Sequence, residues 1–279
     1  MRRMILLTGC CLLGISVVAS AAPPPRPWAS MLLSGYVDVN PDGGVRSVVM
    51  DHPEKIPPVV LGVIGKAAHG WHFKVDVKGK VIARARMSLR LVARPVGRTQ
   101  FALEVEGVDF ADDAANGGAL PYDNSSPKPY YPSEALRLGT AATVYVLVRV
   151  GRDGHVLDAG AEQVNFTVAC PTSWRAGMEN AFAQASVSAI RKWTFKVPKQ
   201  GRLADEPYWY ARVPVAFTLS TATGPVVSEA YGSWQPYLPG ARRSLPWLGD
   251  DKHLFASAPD AIPDGRATLL QDDLQLASE

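Results

Sequence analysis

Cysteine is scarce in this chain, which has three in 279 residues. Cys10 and Cys11 lie in an apolar N-terminal stretch with the character of a secretory leader, so removal of that leader would leave Cys170 alone. A single thiol cannot form a disulfide within its own chain. We therefore expect Cys170 to be a partly buried core residue, with a disulfide between two copies of the chain as the alternative.

Strong net charge and catalytic motifs are also missing. A formal net charge of +3 is too small to indicate a nucleic-acid partner. The five histidines are scattered, without the spacing of a metal site and without a nucleophile motif nearby. No glycine-rich loop follows a predicted strand, as a phosphate site would require. We expect no enzymatic activity, no cofactor and no bound metal.

The N-terminus has the layout of an export signal. Two arginines precede an apolar run, which is followed by the small residues Ala19-Ser20-Ala21. This order is typical of a signal peptide cleaved near Ala22. We predict that residues 1–22 are a signal peptide. An uncleaved membrane anchor over residues 4–22 and lipid attachment at Cys10 are the alternatives.

Two stretches of the chain share one order of motifs. Within residues 36–75 and again within 144–197, an Asp-Gly turn among alternating apolar residues precedes an apolar run and the sequence Trp-x-Phe-Lys-Val. Such a turn predicts a β-hairpin, because glycine adopts the positive φ that tight hairpin turns require. The repeat predicts an α+β fold of two small antiparallel-sheet modules of ββαβ type, each with a helix packed on its sheet.

Composition divides the rest of the chain. We predict a first module over residues 29–110, a polar linker over 111–128, a second module over 129–220 and a Pro/Gly-rich tail over 221–279. In the first module, arginines alternate with apolar residues between positions 83 and 91, which predicts a basic exposed face. The tail contains several aromatic residues, so we expect it to cover a module. Its position is left open, and it could lie on the sheet edge to which partner binding is assigned below.

The second module has a distinctive set of motifs. Tyr131-Pro132 precedes a short predicted helix, Asp153-Gly154 forms the hairpin turn, and a long predicted helix ends in Arg191-Lys192-Trp193-Thr194-Phe195. With this combination, residues 129–219 resemble the C-terminal domain of TonB energy transducers. The resemblance implies the fold of that domain and makes the first module a divergent second copy. It also implies a protein of the Gram-negative periplasm that acts in energy-dependent outer-membrane transport.

The last predicted strand, residues 208–219, is the expected binding element. Pro214 lies inside it, and a proline confines a strand to a sheet edge or a bulge, because it has no N–H to donate. An exposed edge can bind an extended peptide as an added strand. The resemblance implies that this peptide is an N-terminal segment of an outer-membrane TonB-dependent receptor. The residues to which it assigns the contact are Lys128, Pro129, Tyr130, Arg212, Val213, Val215 and Phe217. Lys128 departs from the family pattern, which has glutamine there.

The resemblance also implies coupling to an inner-membrane proton-channel complex. That role needs a retained anchor and a long proline-rich span, whereas Pro23 to Pro27 would reach only roughly 15 Å as a polyproline helix. The second hypothesis is therefore a soluble periplasmic scaffold or adaptor. Such a protein would use the same sheet edges for assembly, including assembly into a homodimer, without energy transduction.

Overall fold

The computed structural model describes residues 26–73, 82–111, 120–123, 125–168, 170–199, 202–219, 230–249, 259 and 267–270. The predicted signal peptide or anchor over residues 1–22 lies outside these ranges, as do parts of the predicted linker and tail. No helix within these ranges combines the length and the apolar character needed to cross a bilayer. The fold is α+β with antiparallel sheets, which confirms the predicted fold class.

The first module has one sheet and one main helix. Its elements are β1 (Trp28–Val39), β2 (Val45–Met50), α1 (Pro58–His69), β3 (Ala83–Pro95) and β4 (Phe101–Ala111). The strand order is β2-β1-β3-β4, and every neighbouring pair is antiparallel. Helix α1 begins at Pro58, where a proline is tolerated because the first turn has no partner for that N–H. Val60 and Ile64 of α1 are buried in the core of this sheet.

The second module repeats this plan. Its elements are α2 (Ser133–Arg137), β5 (Ala142–Gly151), β6 (Val156–Phe166), α3 (Thr172–Ile190) and β7 (Tyr208–Phe217), and the tail adds β8 (Gln235–Tyr237) and β9 (Thr268–Leu269). The second sheet has the order β6-β5-β7-β9. The predicted apolar stripe of α3 is confirmed, since Met178, Phe182, Ala185 and Ala189 are all buried. Cys170 is also buried.

The two hairpin turns are built in the same way. Gly43 and Gly154 have positive φ, 88° and 83°. The Phe73 N–H donates to the Gly43 carbonyl at 2.8 Å, and the Phe195 N–H donates to the Gly154 carbonyl at 2.8 Å. Each Trp-x-Phe motif therefore bonds its phenylalanine to the Asp-Gly turn of its own module. This shared bond explains why both motifs recur together in the sequence.

Glycine is required at these turns for two reasons, and Gly154 allows a direct test. Replacing Gly154 with alanine should lower the free energy of unfolding by about 2–3 kcal/mol, because φ is positive and the new Cβ would lie 2.3 Å from the Phe195 carbonyl oxygen. Gly177 in α3 is the matched control, since a Cβ there meets nothing within 4 Å. Its replacement with alanine should raise stability by about 0.5–1 kcal/mol. Urea denaturation measures both, and equal effects would contradict this explanation.

On the basic exposed face predicted for β3, Arg84 is exposed, Arg86 is partly buried and Arg90 is buried, and the first two are paired with carboxylates. The Arg84 guanidinium lies 2.7 Å from the Asp38 carboxylate, and Arg86 donates to Asp51 at 2.8 and 2.6 Å. Arg90 is only 9% exposed. The acidic partners come from β1 and from the loop after β2, which are remote from β3 in the sequence. The strand pattern alone therefore could not show that these charges are neutralised.

The ion pair on β1 predicts a pH effect. The hydrogen bond from Arg84 lowers the pKa of Asp38 from 3.8 to about 2. A carboxyl with a lower pKa in the folded state stabilises the fold above its unfolded pKa, and that stability is lost as the pH falls through the folded pKa. We expect stability to fall between about pH 4 and pH 2, and to fall less in Asp38→Asn. The effect is reduced by solvent, because the Arg84 side chain is 58% exposed. Denaturation at several pH values checks this, and identical profiles for the two proteins would refute it.

Candidate functional site

The tail connects the two sheets. Strand β8 pairs antiparallel with the start of β1, and the next residue, Leu238, pairs with Phe166 at the end of β6. The Phe166 N–H donates to the Leu238 carbonyl at 2.9 Å, and the Leu238 N–H donates back at 2.8 Å. Residues 235–238 therefore join both modules through backbone hydrogen bonds.

Beyond Leu238 the tail covers the face of the second sheet that points away from α3. Leu248 is 2% exposed and packs in one cluster with Leu147 and Tyr210. The Trp247 ring stacks on the Tyr210 ring at a centroid distance of 6.3 Å. Trp247 of the tail therefore packs on the second module, whereas Tyr231 and Trp234 pack against the core of the first.

A buried ion pair lies under this cover. Arg212 donates to the Glu162 carboxylate at 2.8 and 3.2 Å, and both side chains are 0% exposed. Arg242 of the tail donates to the same carboxylate at 2.6 Å. The predicted partner contact by the Arg212 side chain is wrong, because that side chain is enclosed between the sheet and the tail.

The edge of β7 around Arg212 is already paired with the tail. Ala211 and Arg212 are opposite Leu269 and Thr268 of β9. The Leu270 N–H donates to the Tyr210 carbonyl at 2.9 Å. No strand can add to this part of β7 while β9 is in place. Within the described ranges, β5 is the only strand that pairs with β7 beyond Arg212.

The direction of the backbone shows which β7 residues face outward. The Tyr210 carbonyl points to β9, and successive residues of a strand direct their N–H and C=O groups to opposite sides. Arg212, Pro214 and Ala216 therefore also face away from β5. The missing N–H of Pro214 falls on this outer side, so the ladder with β5 keeps all its donors. This explains how a proline is accommodated in the middle of the strand.

The three other β7 residues predicted to contact a partner do not face the outer edge of the strand. Val213, Val215 and Phe217 have buried side chains in the core shared with α3, and their backbone groups face β5. Val213 and Phe217, to which a partner contact was assigned, therefore face the core and β5 and not the outer edge. The outward backbone groups belong to Pro214 and Ala216, and the alternation around Pro214 could have identified them.

A cavity lies beside this free part of the edge. Its volume is about 410 Å³, and it is lined by Tyr122, Ser126, Lys128, Pro129, Trp193, Pro214 and Val215. The structure thus brings the predicted residues Lys128, Pro129 and Val215 to one cavity. Tyr130 is 62% exposed and does not line it.

Trp193 anchors the segment that forms one wall of the cavity. Its indole N–H donates to the Pro127 carbonyl at 2.8 Å. The Tyr122 ring stacks on the Trp193 ring with a centroid distance of 4.3 Å. These contacts hold residues 120–123 and 125–129 on the cavity side of Trp193, and we call the groove between these residues and β7 the edge cleft. Tyr122 and Trp193 were not predicted as site residues. Trp193 was assigned to the core, and it is indeed 94% buried while one face contributes to the cavity.

The edge cleft has the chemistry of a binding site. Aromatic and proline side chains supply apolar surface, outward backbone groups supply hydrogen bonds, and Lys128 supplies one positive charge. No cluster of metal-binding side chains occurs in the part of the chain that the structure describes. Comparison with protein-family models, with curated proteins and with solved structures finds no match to this chain.

Proposed function

We propose that this protein binds an extended peptide segment by strand addition in the edge cleft. The observation that supports this most directly is the coincidence of two features. The outward backbone groups of Pro214 and Ala216 lie on a part of the β7 edge that no described strand covers, and the cavity lined by Lys128 and Pro129 opens beside them. Main-chain bonds to a strand edge provide affinity, and an adjoining pocket provides selectivity for a side chain.

The partner we propose is the N-terminal segment of an outer-membrane TonB-dependent receptor. Support comes from the resemblance of residues 129–219 to the TonB C-terminal domain and from the position of the cleft on the last strand of that module. The role would be TonB-like, in energy-dependent outer-membrane transport and without catalysis. Coupling to an inner-membrane proton-channel complex is part of this proposal where residues 4–22 remain as an anchor.

Photocrosslinking in cells tests the partner. A photoreactive phenylalanine derivative at position 128 lines the cleft, whereas the same residue at Val49, which is 48% exposed on β2, reports on the first module. We expect irradiation to join the first variant to outer-membrane receptors, with the crosslinked peptide near the receptor N-terminus. The Val49 variant should give no such adduct. Receptor adducts from both positions, or from neither, would refute the proposal.

The second candidate function is a soluble periplasmic scaffold. It is favoured by β4, which pairs with β3 on one side and, within the described ranges, with no strand on the other. Phe101 at the start of β4 is 55% exposed. A long strand edge is a template for pairing between chains. Light scattering of the purified protein, together with fractionation of cells, separates the candidates: a soluble, stable dimer supports the scaffold, and a membrane-embedded monomer supports the transducer.

A further inference from the structure

The β7 edge next to the edge cleft is occupied by the chain itself. We propose that residues 267–270 hold this edge and that a partner strand entering the edge cleft must displace them from it. This inference rests on the proposed strand-addition function, because it concerns the same edge. The new elements are the identity of the competing segment and the kind of strand that the cleft accepts.

The tail strand is bonded on both of its sides. The Leu270 N–H donates to the Tyr210 carbonyl of β7 at 2.9 Å, and the Leu120 N–H donates to the Ala267 carbonyl at 2.9 Å. Ala267 is 2% exposed and Leu120 is 1% exposed. Strand β9 therefore lies between β7 and the start of the segment that forms the wall of the cleft, which is where an added strand would lie.

Among the described residues, the pairing of β9 with β7 ends next to the cavity. It covers Ala211 and Arg212, and the next outward residue is Pro214 at the cavity wall. A partner strand that took the place of β9 and continued in the same antiparallel direction would also reach the outward groups of Ala216. It would gain backbone bonds and a side-chain pocket that residues 267–270 do not use. A strand that makes these further contacts can therefore replace residues 267–270.

The sequence of the occupant indicates what the cleft accepts. Ala267-Thr268-Leu269-Leu270 contains no charge and no proline, and its residues are small, β-branched or apolar. Such residues suit a strand that packs against a sheet edge. The partner segment should therefore contain an uncharged run of this type, followed or preceded by residues that reach the cavity.

A peptide added in trans tests occupancy. The probe is a labelled synthetic peptide with the sequence of residues 266–271, added to the full chain and to Leu270→Pro, which lacks the N–H that bonds Tyr210. We expect the peptide to bind Leu270→Pro at least tenfold more tightly than the wild type, because the β7 edge has been vacated. Leu270→Val keeps the N–H and should behave as the wild type. Equal binding to all three proteins, or no binding to Leu270→Pro, would overturn the inference.

A reversible lock provides the second test. Ala211 and Leu269 are directly opposite, between hydrogen-bonded pairs, where Cα atoms are about 4.5 Å apart and a disulfide can form. In Ala211→Cys/Leu269→Cys with Cys170→Ser, oxidation should weaken binding of a receptor N-terminal peptide at least tenfold, and reductant should restore it. Binding that is unaffected by oxidation leaves the receptor proposal standing and refutes displacement. A receptor peptide that binds no variant, while the 266–271 peptide binds Leu270→Pro, refutes the receptor proposal alone.

Discussion

Replacing Glu162 with alanine should lower the free energy of unfolding by about 3–5 kcal/mol. Both Glu162 and Arg212 are 0% exposed, so the variant leaves the Arg212 guanidinium buried without its carboxylate. Burying an uncompensated charge is among the most costly single changes in a protein core. The tail should also become less firmly attached, because Arg242 donates to the same carboxylate.

The exposed pair on α2 is the matched control. Glu134 and Arg137 form an ion pair with side chains 38% and 62% exposed, so Glu134→Ala should leave the free energy of unfolding almost unchanged. Chemical denaturation of the wild type and both variants measures the contrast. Similar losses in the two variants would show that the Glu162 site is not the enclosed charge pair described above.

The second large effect is expected from Phe182→Ala. The Phe182 side chain is 0% exposed, and its ring meets those of Tyr131, Phe166 and Phe217 at centroid distances of 5.9, 6.3 and 4.9 Å. Truncation removes these contacts and leaves a cavity between α3 and the sheet, so we expect a loss of about 3–5 kcal/mol.

Trp174 serves as the control on the same helix. It is larger than Phe182 but 44% exposed, and its replacement with alanine should cost less than about 1 kcal/mol. Thermal and urea denaturation give both values. If Trp174→Ala were as damaging as Phe182→Ala, burial would not be the cause.

Much of the fold could be predicted because local signals agreed with it. The Asp-Gly turns at Gly43 and Gly154 specify hairpins through their positive φ, and the helical spacing of Met178, Phe182 and Ala185 specifies which face of α3 meets the sheet. These signals depend on neighbouring residues, so they are visible in one sequence. The predicted bounds of β2, Val45 to Met50, are confirmed to the residue.

The candidate site could be predicted only in part, because it depends on contacts between remote segments. Lys128 and Pro129 line a cavity beside the last strand, and their contact with a partner, which the resemblance implies, stays a prediction. The burial of Arg212 depends on Glu162, fifty residues earlier, and on the covering tail. Arg212 is the only charged residue of β7, and its neighbours in the strand give no sign of either contact.

The pairing of β9 with β7 was also beyond the sequence pattern. The run Ala267 to Leu270 is too short to stand out as a strand by periodicity. Its position depends on bonds to Tyr210 and Leu120, which lie far away in the chain. The sequence therefore left open which surface the tail covers, and the structure places this part of it on the edge that the partner is proposed to use.

Residue-resolved amide hydrogen exchange tests whether the β7 edge beyond Arg212 binds an extended segment. Exchange is measured on the full chain with and without the receptor peptide that crosslinking at position 128 identifies. We expect slower exchange at the Ala216 amide, because the backbone of Ala216 faces the cleft. We expect no change along β4, because β4 belongs to the other sheet. Unchanged exchange at Ala216 in the presence of bound peptide, or protection along β4 instead, would contradict binding at this edge.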